Sequence, residues 1–506
     1  MRRILKNIMF IIGGCGIMAG VASCVFNIDV RVSNLKNSAE EPYEVVIENV
    51  TLGQDMPDLE AVEAAVSNIT LEKINCTVKI YNVHIADHAA KMSLIAAGGE
   101  KIDLVLTGRT TALSQLASEG TIIPLDDLLK NYGQTIIEKS GTLIEGCRIN
   151  GHIYAVPGEY YPGGDLGFIY NKEMAKELGI EIPRAPVWSD LEDMAAQLKA
   201  HGIYLISQGD GGVSSVLLQM MYKDIYPLGG VNYIYGMIDN VLKETKVQNV
   251  FETEMYKNYC KTMHQWNVNG WIPQDSVSSG ENTKDSFKNQ KIFMLYSTVS
   301  PTELTLQAKE FPFEIGMMSM KAGMVTSESV QEVGWGISVT SKNPEKAMEF
   351  LNLMYENSEI ANLLMNGIEG RAYEKVSEHI ITYADGVHAE NIGYSRNFSV
   401  FGDSMQTFQW LPATEKYYDQ VRTFWESMQM SPLLGYVFDS SDVMTEIAAV
   451  NHVLDEYMPS LECGVIADVD EAIDHFNAAL DAAGMDVIIQ ENQRQLDAWL
   501  EQKNKY

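Results

Sequence analysis

The sequence predicts an α/β protein of two lobes that works outside the cell. Three observations lead there. Strands and helices alternate from Tyr43 to Thr110, a chain of 506 residues is too long for a single core, and the first 24 residues read as an export leader.

The leader comes first in the chain. Arg2, Arg3 and Lys6 form a basic start, and no charged side chain follows between Asn7 and Ile28. Small residues lead into Val21-Ala22-Ser23-Cys24. This is the order of a signal peptide, with residues 1–23 removed before Cys24. Two other readings compete: an uncleaved anchor, since the uncharged run approaches the ~20 residues that span a bilayer, and cleavage at Cys15, which leaves a very short apolar region. Residues 24–42 then form a polar tether, with Ser33, Asn34, Lys36, Asn37, Ser38, Glu40 and Glu41.

Net charge narrows the partners. The whole chain carries −31, and losing residues 1–23 takes away three positive charges and no negative one, leaving about −34. Phosphate backbones and anionic lipid repel such a body, so nucleic acid is excluded as partner. No second run is apolar enough to span a bilayer, and nothing in the pattern implies an oligomer. Cys76, Cys147, Cys260 and Cys463 stand far apart without any CxxC pair, which fits buried thiols better than a metal site or a disulfide scaffold.

Each element of the first lobe has its own signal. Tyr43–Val50 is β-branched and alternating, and Gly53 to Pro57 make a turn. Apolar residues at Leu59, Val62, Val66 and Ile69 predict a helix over 58–74. Thr77–Val83 is a second strand, Asp87–Ala97 a second helix closed by Gly98-Gly99, and Asp103–Thr107 a short buried strand. Such alternation predicts βαβ units on a mostly parallel sheet, whose ligands lie off the carboxyl ends of the strands. That places Gln54, Asp55 and Arg109 at the mouth of a site.

The chain resembles a known family from about residue 43 to its end, most recognisably from residue 151 onward. GHIYAVPGEYYPGGDLGFIYNKEMAKELG over 151–179, PRAPVWSDL over 183–191, FKNQKIFML over 287–295, FEIGMM over 313–318 and GWGISVTSKNP over 334–344 follow one another as in extracellular solute-binding proteins of ABC importers. NGIEGRAY, GYVFD and AALDAAGMDVIIQENQRQLDAWL are similar to a lipoprotein subfamily with a C-terminal domain of unassigned role, and VASC resembles the lipobox, which makes Cys24 the lipidated residue.

The resemblance implies a type II periplasmic-binding-protein-like fold. Each lobe is then a mostly parallel sheet flanked by helices, with the ligand cleft between them. The N-terminal lobe is expected over 43–158 plus 328–370, and the C-terminal lobe over 159–327 plus 371–506. The resemblance further implies a carbohydrate, an oligosaccharide above all, carried to ABC permease subunits by a protein held on the membrane through its lipid. Trp335, Tyr160, Tyr161, Glu159, Tyr296, Glu369 and Arg371 fall where the family brings side chains to the cleft, joining Gln54, Asp55 and Arg109. Blander roles stand beside these: hinge packing for Trp335 and one of the tyrosines, helix capping for Asp55, a surface charge for Arg109, an ion pair for Arg371. Ser297–Ser300 lack the tryptophan that sugar-binding relatives often carry there, which leaves Tyr296 to stack or points to another solute.

An enzyme is the less favoured alternative. HExxH, GxSxG, P-loop and GxGxxG patterns are missing, and Gln208–Gly212 lacks the lysine of a phosphate cradle. Asp468, Asp470 and Glu471 read as a helix start rather than a calcium loop. No cofactor or metal is implied. A surface sensing or adhesion lipoprotein of the same fold stays open.

Overall fold

Tyr43–Thr51 runs inside the first sheet between two neighbouring strands, and Val45, Val46, Ile47 and Val50 on its two faces are all buried. A strand covered by helices on both sides demands this composition. The computed structural model describes residues 41–158, 161–208, 214–229, 234–277 and 282–503. The leader with Cys15, the lipidation residue Cys24, most of the tether, Glu159 and Tyr160 lie outside the described residues.

Cys76–His84 pairs with Tyr43–Thr51 in parallel, from Tyr43 opposite Cys76 to Thr51 opposite His84. Leu104–Gly108 lies parallel on the other side. Val333–Ile337 then joins it antiparallel, and Val156–Pro157 closes the far edge. The helix Leu59–Ile74 ends at Asn75, whose φ of 51° is the left-handed turn that asparagine tolerates. It packs against Ser358–Asn366 and Pro344–Glu356, whose apolar faces fill the first core.

The second sheet departs from the mostly parallel arrangement expected. Asp165–Asn171 is its centre, and both neighbours, Met294–Val299 and Ile315–Lys321, run antiparallel to it. Both neighbours come from more than a hundred residues further along, so the local alternation of strand and helix says nothing about their direction. Its core holds Phe168, Phe293 and Trp266, the last stacked on Trp188 at 5.1 Å. The helices Met444–Glu462, Val469–Ala483 and Met485–Lys503 supply Val450, Leu454, Phe476 and Ile488 to the same core. Asp468 caps its helix by accepting the Glu471 N–H at 3.1 Å, so the acidic trio there is a helix start.

The division at residue 371 needs correction. Tyr394, Val400 and Phe401 lie in the first core, and the Tyr394 hydroxyl donates to the Leu364 carbonyl at 2.9 Å. The chain therefore crosses for the last time further on, through residues 428–439. The earlier crossings are 158–165 and 321–333. Those two touch backbone to backbone: a Cβ on Gly323 would stand 2.1 Å from the Gly164 carbonyl oxygen. Only glycine permits that approach. Among the described residues no helix is long and apolar enough to cross a membrane.

Candidate functional site

The carboxyl ends of Tyr43–Thr51 and Leu104–Gly108 carry two polar turns along one edge of the first sheet. Gln54 donates to the Asn397 side-chain oxygen at 2.5 Å, and the same oxygen accepts the Leu52 N–H. Asp55 is exposed and is not the cap of the next helix, which begins at Leu59 with Asp58 in the capping position. The Asp58 carboxylate instead accepts from Arg371 at 3.1 Å. Gly108 has φ of 96°, and a Cβ there would fall 2.0 Å from the Gln331 carbonyl oxygen. Beside it Arg109 donates to Glu332 at 3.3 Å on the exposed surface, a pair of little worth to stability.

Behind that edge lies a buried polar network. Glu48 and His88 are both fully enclosed, with Oε1 of Glu48 3.3 Å from Nε2 of His88. Glu48 Oε2 accepts the Leu106 N–H at 2.8 Å. The His88 ring reaches Thr111 at 3.0 Å and Thr110 at 3.2 Å, one nitrogen to each hydroxyl. His88 thus ties the turn holding Arg109 to Glu48, and Glu48 ties its own strand to Leu104–Gly108. Sequence reading missed this network because Glu48 and His88 stand forty residues apart on unlike elements.

Across the crossings the groups are of another kind. Tyr296, opposite Phe168 in the second sheet, is partly buried, and that burial pushes its phenol upward. Tyr161 sets its ring edge-on to Trp425 at 5.5 Å, within packing that joins the first core to the helix Tyr417–Glu426. Glu328, in the short helix Ser327–Gln331 of the second crossing, has solvent at its side chain, yet surrounding protein raises its carboxyl to about 7. Burial lowers the ammonium of Lys321 to about 8, where it donates to the Ile225 carbonyl at 2.8 Å. Neither group carried a sequence signal; both owe their character to the crossing.

Trp335 is placed elsewhere than expected. It is fully buried in the strand Val333–Ile337, its N–H donated to the Val400 carbonyl at 2.7 Å. In this conformation the ring has no surface to offer a solute. The glycines beside it do not give it room to project. A Cβ on Gly334 would meet the Thr107 hydroxyl at 2.8 Å, and one on Gly336 would meet Ile122 at 3.0 Å. They are small so that neighbouring strands and loops can close in. Glu369 pairs with Lys375 at 3.3 Å, and Arg371 with Asp58, both at the surface of the first lobe. Gln54 and Arg109 thus share one edge, Tyr296 stands on the other lobe, and Glu159 and Tyr160 are outside the described residues. Cys76, Cys147, Cys260 and Cys463 are buried free thiols, and burial holds that of Cys147 up at about 12.

Two lobes joined by three crossings, with polar turns at the strand ends of the first, are the frame of a protein that captures a solute between its halves. Residues 55–360, more than half of the chain, match the model of the bacterial extracellular solute-binding protein family. The chain belongs to that family. Residues 432–501 match a domain of unknown function, DUF3502. Over 495 residues the chain is 26% identical to a carbohydrate ABC transporter substrate-binding protein of Streptococcus pneumoniae serotype 4, covering 96% of each. Its fold is similar to that of the N-glycan transport solute-binding protein NgtS from Streptococcus pneumoniae, with a TM-score of 0.74 at 24% identity, over 91% of this chain and 100% of that one. The structure of NgtS in complex with Man1GlcNAc gives 0.66 at 24% identity, over 90% and 99%. As a solute-binding protein, this chain has the two-lobed α/β architecture that its first strands announce.

Proposed function

We propose that the chain is the substrate-binding lipoprotein of an ABC importer and that it captures an extracellular carbohydrate, an oligosaccharide. The observation that carries this reading is the match along almost the whole length, 96% of each chain, to a carbohydrate ABC transporter substrate-binding protein. The NgtS complex with a mannose–N-acetylglucosamine disaccharide supports a glycan as the ligand class.

In this reading Cys24 carries the lipid, residues 24–42 hold the lobes off the membrane, and permease subunits accept the loaded form. Gln54, Asp55 and Arg109 offer amide, carboxylate and guanidinium groups to sugar hydroxyls from one lobe. Tyr296 offers an amphipathic ring from the other, and Glu159, Tyr160 and Tyr161 complete the set that the family resemblance implies. No bond is made or broken. Binding shifts an open–closed equilibrium, and the solute acts only through its preference for the closed form. Uptake tests this. A strain lacking the protein should lose growth on one oligosaccharide and keep it on simple sugars; unchanged growth and uptake on every oligosaccharide would contradict an import role.

A further inference from the structure

The C-terminal region matched to a domain of unknown function is bound both to the second lobe and to the third crossing. Its helices are fixed to the second lobe: the buried Tyr256 hydroxyl donates to Glu462 at 2.9 Å, and Gln493 accepts the Val247 N–H at 2.6 Å. A Cβ on Gly464 would lie 2.2 Å from the Met263 carbonyl oxygen, so backbone meets backbone there too.

The last of these helices, Met485–Lys503, also grips the third crossing. Tyr436 donates to Asn492 at 2.7 Å, Gln495 both accepts the Asp439 N–H and donates to its carbonyl at 2.8 Å, and Lys503 donates to the Pro432 carbonyl at 2.8 Å. The Trp499 ring lies 5.9 Å from that of Tyr436. Just before Tyr436, Leu434 turns the opposite way, into the first core, where a Cβ on Gly146 would touch it at 3.2 Å. Gly435, with φ of 98°, makes that reversal and donates its N–H to Ser327 of the second crossing at 2.9 Å. Within a few residues the crossing is pinned to one lobe, to the other, and to its neighbour.

We infer that the C-terminal helix Met485–Lys503 is a hinge brace: it fixes the third crossing and so limits how far the lobes can swing about the glycine contact of Gly164 with Gly323, which opens more widely once the brace is lost. A pinned crossing narrows the range of open forms, and closure then has less disorder to remove. The role holds whatever the solute is, and only the affinity arm of the test rests on the carbohydrate reading.

The test is amide hydrogen exchange of the full chain without ligand, in the native form, in Tyr436→Phe and in Gln495→Ala/Lys503→Ala. The second variant touches only partly exposed Gln495 and exposed Lys503, so the fold survives it. The brace predicts lost protection in peptides 161–166 and 321–331, where Gly323 N–H is held by Asp165 at 2.8 Å. Changes confined to 432–439 and 485–503 would overturn it. With Man1GlcNAc as probe, weaker binding in both variants is expected. If the native chain ignores that sugar, the exchange result still decides.

Discussion

The indole of Trp335 stacks on Phe401, ring centroids 5.1 Å apart and planes 26° from parallel. Both rings are fully buried, and the N–H of the indole is donated to the residue just before Phe401. A strand of the first sheet is thereby fastened to a segment that follows it by more than sixty residues.

Trp335→Ala should therefore cost about 3–5 kcal/mol of stability, as for other large buried aromatics. Urea unfolding measures it. Sugar affinity per folded molecule should not change. Native stability with weakened binding would return the ring to the cleft.

Glu48→Ala removes the acceptor of the Leu106 N–H and the partner of His88 in a place water does not reach. The expected loss is about 3 kcal/mol, with Glu48→Gln costing less because an acceptor remains. Chemical denaturation of both variants checks the order, and equal losses would show that the carboxylate's acceptor role is not what matters.

Glu328 sets a pH dependence of known sign. Its folded carboxyl, at about 7, lies above the ordinary value of about 4.3. The fold favours the protonated form, so this stability is complete below the ordinary value and is lost as pH rises through about 7. Glu328→Gln should melt with the native chain at about pH 4 and above it at about pH 8. The gap is small, because water reaches the side chain. A gap that is largest in acid would contradict the sign.

The proposed lipidation predicts that Cys24→Ser leaves the leader uncut or releases the protein from the membrane, because stable attachment of a lipoprotein needs its lipid chains. Fractionation of cells with detection of the chain reads this out. Normal processing and retention would contradict lipidation at Cys24.

Much of the first lobe was legible. Tyr43–Thr51, Leu59–Ile74 and Cys76–His84 match their expected bounds to within a residue or two, because buried parallel strands and amphipathic helices write their periodicity locally. The direction of the second sheet was not, since Asp165–Asn171 takes partners from far along the chain. FKNQ over 287–290, part of the family resemblance, belongs to the end of the helix Thr283–Lys288 and its turn, and the strand begins at Met294. Trp335 was placed at the cleft by resemblance, and sequence does not show that Gly334 and Gly336 beside it are small because neighbouring strands and loops close in. Glu328 and His88 carried no pattern at all, since their character comes from what the tertiary fold puts around them.

A thermal-shift panel of the chain against mono- and oligosaccharides, polyols and peptides tests the central claim most directly. An oligosaccharide at about 100 times its dissociation constant should add about 2.7 kcal/mol and raise the melting temperature by several degrees. A panel in which no sugar moves the transition and a peptide does would keep the solute-binding fold and contradict carbohydrate as its cargo.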